Sequence, residues 1–112
     1  MTQISYDDFD KVEIRVGRVV QVEEFSKARK PSYKIWADFG EMGIKKSSAQ
    51  LTKLYKPDEL VGKLVLAVLN FAPRQVADFM SEVLILGVTS EDESEVVLVR
   101  PDREVPLGRR LF

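Results

Sequence analysis

Between residues 12 and 22, Val12, Ile14, Val16, Val20 and Val22 recur at even positions, with Arg18 the single interruption. A period of two predicts a half-buried strand, and Gly17 in its middle predicts a bulge or sharp bend. Tyr33, Ile35, Ala37 and Phe39 alternate with Lys34, Trp36 and Asp38, which predicts a second strand running into Gly40. A third strand is expected over residues 44–49, after a turn at 41–43. Ser5 and Asp8 have capping-box spacing, so a short helix should open near Ser5. Residues 50–55 read as a short helical segment. Residues 56–62 read as a further helical turn, with Pro57 at its start, acids behind it and Gly62 at its end. Residues 63–71 and 82–88 are nearly continuous apolar runs, the pattern of central strands buried on both faces. Residues 73–79 between them predict a loop with a helical turn. Residues 91–94 form an acidic hairpin tip, and 95–100 the returning strand.

Strands outnumber helices, and the mid-chain helical insertion falls between the third and fourth strands. With a glycine-bent first strand, that order predicts an all-β fold: a five-stranded Greek-key barrel of the OB type. A β-sandwich is the alternative, although two sheets usually need more strands. A chain of 112 residues has room for one domain, residues 1–112. Its barrel core is expected over about residues 9–100, with extensions at 1–8 and 101–112. The C-terminal extension carries Val105, Leu107, Leu111 and Phe112, side chains that a solvated tail does not need.

Composition narrows the chemistry. The chain has no cysteine and no histidine. Disulfides, thiolate metal sites and thiol nucleophiles are therefore excluded, and the commonest neutral-pH base is missing. Ser47 and Ser48 have no histidine to activate them, and Gly62-Lys63 lacks the upstream glycine of a phosphate-binding loop. No catalytic residue, metal site or cofactor is expected. The apolar run at 64–69 is too short to cross a bilayer, and the first residues carry acids where a secretory leader needs bases. A cytoplasmic location is the expectation.

The net charge of −1 conceals a polarity. Lys27, Arg29, Lys30, Lys34, Lys45, Lys46, Lys53 and Lys56 face only Asp38 and Glu41 within residues 27–56. Such a block is either a solvated face or a basic binding face on an acidic body. Trp36 shares its strand face with Lys34, which suggests a contact platform, although a loop or a partner could equally cover the ring. Lys45, Lys46, Ser47 and Ser48 lie on the neighbouring strand, and strands two and three of an OB barrel commonly carry the ligand. Phe71, Phe79 and Met80 near Asn70 and Arg74 suit either a buried lid or a pocket accepting varied peptide side chains.

Three segments then resemble a known family. Residues 9–19 (FDKVEIRVGRV), 55–63 (YKPDELVGK) and 70–74 (NFAPR) are similar to successive motifs of the tRNA-binding-domain family, over nearly the whole chain. Residues 28–36, 44–50, 78–83 and 100–106 resemble its CsaA-type branch of export-related chaperones. Phe25-Ser26, Ala28-Arg29-Lys30-Pro31, Asp78 and Val83 depart from the tRNA-binding branch. The resemblance implies a homodimer of OB barrels joined through both chain ends, with Val105, Leu107, Leu111 and Phe112 at the interface. It further implies binding of unfolded or pre-secretory polypeptides in apolar pockets near that interface. On this reading Trp36, Phe71, Phe79 and Met80 supply apolar contact, while Lys46, Ser47, Ser48, Asn70 and Arg74 orient the peptide. The alternative is a tRNA-binding module using Arg15, Lys30, Lys34, Lys45, Lys46 and Arg74 against phosphates. Docking on another protein is a third possibility.

Overall fold

The computed structural model describes residues 1–112. Helix α1 (Tyr6–Asp10) is opened by the expected box: the Asp8 amide donates to Ser5 Oγ at 3.2 Å, and the Ser5 amide donates to Asp8 Oδ2 at 3.1 Å. Strands β1 (Ile14–Glu24), β2 (Tyr33–Asp38), β3 (Ile44–Ala49), β4 (Leu64–Val68) and β7 (Leu84–Ile85) make one antiparallel sheet in the order β3-β2-β1-β4-β7. Side chains and backbone of Ser81 and Glu82 then meet the open edge of β3. The Lys46 amide donates to Glu82 Oε1 at 3.0 Å, and the Glu82 amide to the Lys46 carbonyl at 2.8 Å. The result is a nearly closed five-stranded barrel of the OB type, with few and short helices. Helix α2 (Pro57–Leu60) plugs it with Leu60, and Gly62 turns the chain out at φ +94°.

Two apolar layers follow from strand alternation. Val19, Tyr33, Ile35, Ala37, Phe39, Val65 and Ala67 fill the barrel, together with Leu51, Leu60, Val83 and Leu98. Val16, Leu64 and Leu66 point the other way and are covered by Ile14, Leu86, Val99, Val105 and Leu107. Strand β4 is buried at all five positions, as its unbroken apolar run requires.

Four expectations are corrected. The irregularity in β1 falls between Val19 and Gln21 instead of at Gly17. The extra residue resets parity, so Ile14 and Val16 face outward while Val19 and Val22 pack inside. Gly17 has a different duty: a Cβ there would stand 2.6 Å from the Phe39 ring. Residues 50–55 contain one hydrogen-bonded turn, from the Tyr55 amide to the Leu51 carbonyl, and no helix. Residues 73–79 fold into part of a hairpin, β5 (Arg74–Val76) and β6 (Phe79–Ser81), turned by Ala77 at φ 53°. The run at 82–88 breaks into β7 and β8 (Gly87–Thr89), which pairs with β9 (Val96–Leu98). It leaves Leu84 and Val88 exposed, because no layer covers its outer face.

The C-terminal extension belongs to this barrel. The Val16 amide donates to the Arg109 carbonyl at 3.0 Å, and the Leu111 amide to the Ile14 carbonyl at 2.9 Å. Val105 and Leu107 are therefore half-covered by their own chain, whereas Leu111 and Phe112 remain exposed.

Candidate functional site

The outer face of β2 and β3 carries Lys34 and Trp36 on one strand, with Ser48 and Lys46 directly opposite them on the other. The β5–β6 hairpin lies on this face. Phe79 descends from it and is buried, meeting the Trp36 ring edge-on at 5.9 Å and the Phe25 ring at 5.4 Å. Lys34 Nζ stands 5.0 Å from the Phe25 centroid and 5.4 Å from that of Phe79, while Lys46 Nζ is 5.2 Å from Phe79. Ammonium groups at these distances are attracted by the ring faces. Trp36 is half-buried and outside the barrel, as its strand parity predicts, with Phe79 as its cover.

At the hairpin tip Lys27 Nζ donates to Asp78 Oδ2 at 2.8 Å, tying the basic loop 26–32 to the turn. That hydrogen bond holds the Asp78 carboxyl below the ordinary carboxylate value and raises the Lys27 ammonium above its own. Beside the hairpin runs an open groove of about 1040 Å³, with Arg29, Lys30 and Arg74 on its rim and Leu51, Leu86 and Val96 among its apolar wall. None of those three cations has a carboxylate partner. Adjacent to the groove is a pocket of about 440 Å³, lined by Phe71, Val83 and Leu84 on its apolar side and by Ser48, Ser81, Glu82 and Arg74 on its polar side. Ser48, Arg74, Val76 and Leu84 line both depressions.

The expected peptide-contacting residues thus separate. Ser48, Phe71 and Arg74 meet at the pocket; Trp36, Lys46 and Phe79 form the aromatic cluster beside it. Met80 faces solvent on the far side of the hairpin from Phe79. Ser47 is a correction: it is 1% exposed, points into the barrel, and donates to the Ser48 carbonyl at 3.0 Å. Asn70 is a second: both ends of its amide are engaged by the Glu13 amide and the Lys11 carbonyl, which pin the start of β1. Of the cations, Lys30 and Arg74 reach the groove, and Lys34 and Lys46 flank Phe79. Lys45 stands on the opposite face of β3, and Arg15 is held at the barrel end by Glu13 and the Gly108 carbonyl. Sequence reasoning missed Ser81, Val83 and Leu84. The hairpin that leads into them turns on Ala77-Asp78, a pair without the glycine or asparagine that signals such a turn.

Residues 14–110 match the tRNA binding domain family. The chain belongs to that family. Among solved structures, the chaperone CsaA of Bacillus anthracis superposes with a TM-score of 0.93 at 44% identity, covering 99% of this chain and all of that one. The CsaA chaperone protein of Picrophilus torridus gives 0.90 at 46% identity, with 98% of this chain covered and all of that one. The methionine–tRNA ligase of Thermococcus kodakarensis is 33% identical over 111 residues, which is 99% of this chain but 14% of that enzyme. The family's match is to a binding domain, and the remainder of that ligase has no counterpart in these residues. No helix is long and apolar enough to cross a membrane.

Proposed function

We propose that this chain is a homodimeric, chaperone-like protein of the cytoplasm that binds unfolded or pre-secretory polypeptides without catalysing a reaction on them. The observation that carries this reading is the adjacency of the 440 Å³ apolar pocket and the longer groove beside the hairpin, which share Ser48, Arg74, Val76 and Leu84 as lining. An extended chain can lay its backbone along the groove and place one apolar side chain between Phe71 and Leu84. Both residues are already exposed, 56% and 48%, so the site is open before any ligand arrives. Ser48 and Arg74 offer hydrogen bonds in its lining, while the Ser81 hydroxyl is engaged by the Ser48 amide. Likeness to two CsaA chaperones over nearly the full chain supports the same reading. The exposed Leu111 and Phe112, with Ile4 and Tyr6 near the other terminus, are the apolar surface offered to a second copy.

The test is titration of a fluorescently labelled, permanently unfolded protein against wild type and the double variant Phe71→Ser, Leu84→Ser. Neither side chain supports the core, so the fold should persist. Affinity is expected to fall at least about tenfold, the equivalent of about 1.4 kcal/mol. Equal affinity in the two proteins removes the pocket from the account.

The free cations Arg29, Lys30 and Arg74, together with kinship to methionine–tRNA ligases, favour a second reading, in which the groove takes tRNA phosphates. Salt separates the two: phosphate contacts weaken steeply as counterions compete, whereas apolar burial does not.

A further inference from the structure

The aromatic cluster of Phe25, Lys34, Trp36, Lys46 and Phe79 lines neither the groove nor the pocket, and only Lys27, at the hairpin tip, borders the groove as well. The wall of the cluster is the outer face of β2–β3, which in OB barrels is a common ligand surface. Here that surface is already occupied. The occupant is an extended segment of the chain itself, Asp78-Phe79-Met80: the carboxylate is on Lys27, the ring lies among Phe25, Lys34, Trp36 and Lys46, and the thioether side chain is in solvent.

The occupant is held by little. Arg74, Gln75, Ala77, Asp78 and Met80 are exposed, and Phe79 is the one fully buried hairpin residue. Its salt bridge is on the surface, where such pairs contribute weakly. Ala77 sustains the turn at φ 53°, a conformation unfavourable for a residue with a Cβ. Firm anchorage begins only at Ser81 and Glu82, on the edge of β3. Segments with few buried contacts open far more often than the core does.

We propose that the β5–β6 hairpin is a movable cover on a latent site, and that the site accepts an aromatic side chain, preceded by an acid, from an extended polypeptide. Released from its seat, Phe79 leaves two ammonium groups, the indole edge and the Phe25 ring around a ring-sized space. An incoming phenylalanine restores the lost cation–ring and edge-on contacts, and an acid before it replaces Asp78 at Lys27. This site is separate from the apolar pocket of the proposed function and stands or falls without it.

The experiment uses Phe79→Ala in the full chain and a capped peptide reproducing residues 74–82, with Trp36 emission as the signal. The variant is expected to bind this peptide at least about tenfold more tightly than wild type does, since its seat is vacant. Alanine in place of the peptide's phenylalanine should abolish the gain, and asparagine in place of its aspartate should reduce it. Binding that is absent, or indifferent to the phenylalanine, overturns the proposal. So does tighter binding of a single-stranded RNA than of the peptide, since the seat would then be one for bases. Should Phe79→Ala fail to fold, Asp78→Asn decides. Amide exchange should quicken over 74–81 while β1 and β4 stay protected, and unchanged exchange in the hairpin refutes the movable cover. The unfolded-protein titration on the Phe71, Leu84 variant reads the other site, so either idea can fail alone.

Discussion

Placing a methyl group at position 17 should loosen the whole barrel. The Cβ of Gly17→Ala would lie 2.6, 2.8 and 2.8 Å from three atoms of the Phe39 ring. Carbon atoms normally approach to about 3.5–4.0 Å, so the ring must retreat by about 1 Å. Phe39 is 0% exposed and has no solvent to retreat into. Over-packing of this kind costs about 1–3 kcal/mol. Alanine recovers about 0.5–1 kcal/mol of that, because it is less free than glycine in the unfolded chain. The difference spans about 0–2.5 kcal/mol, and three contacts under 3.0 Å put the over-packing in the upper part of its range, so a net loss of about 1–2 kcal/mol is expected. With about 2.1 cal/mol/K of unfolding entropy per residue, a chain of this length loses about 4 °C in Tm for each kcal/mol. Scanning calorimetry should therefore place the variant about 4–8 °C below wild type. A double-mutant cycle sharpens the test: Phe39→Leu should cost about 1 kcal/mol less in the Gly17→Ala background than alone. A Tm equal to or above that of wild type, or strict additivity in the cycle, would mean that Gly17 is not there to admit the ring.

Asp78 and Lys27 set a pH dependence of the hairpin. The lowered carboxyl contributes above the ordinary carboxylate range and loses its contribution as pH falls through its depressed value; the raised ammonium contributes until pH climbs through its elevated one. Hairpin protection, with the intrinsic pH dependence of amide exchange divided out, should thus fall at both extremes in wild type and at neither in Asp78→Asn, because Asp78 causes both shifts. Removing Leu111 and Phe112 should convert the proposed dimer into a monomer by light scattering, because both side chains are exposed while Val105 and Leu107 are covered by their own chain. A truncated chain that elutes as wild type does excludes them from the interface. Ser47→Ala should cost about 1 kcal/mol in urea unfolding, the worth of its hydrogen bond to the Ser48 carbonyl, and leave polypeptide affinity unchanged.

Alternation made much of the barrel legible. Tyr33, Ile35, Ala37 and Phe39 are all buried, and the parity that puts them inside puts Lys34 and Trp36 outside. The run through β4 correctly announced a strand covered on both sides. What failed was whatever depends on distant chain. Ile14 and Val16 belong to the outer layer because a bulge near Val20 shifts the stripe, and a bulge has no local signature when no glycine marks it. The 74–81 hairpin was hidden for a similar reason, since Ala77 adopts a positive φ that its side chain disfavours. A loop with a helical turn at 73–79 and a buried strand at 82–88 would leave no pocket between Phe71 and Leu84; the hairpin and the exposed edge of β7 create it. Ser47 belongs inside, between Lys46 and Ser48 on the outer face, because alternation along β3 gives neighbouring residues opposite faces.

The hairpin is shared between the two candidate sites, and this sharing has an energetic meaning. Arg74 and Val76 on β5 form part of the groove and the pocket, while Phe79 on β6 fills the aromatic seat. Val76 and Phe79 are direct cross-strand partners. Lifting Phe79 therefore moves Val76 with it and takes down one wall of the groove. A ligand that requires the hairpin docked and one that requires it raised must oppose each other, each weakening the other by the same factor at equilibrium. The unfolded protein should accordingly bind wild type less tightly in the presence of saturating 74–82 peptide, and Asp78→Asn should shift the balance toward the peptide. Independence of the two titrations would show that the groove keeps its shape without the docked hairpin, and would confine β5 to a passive role.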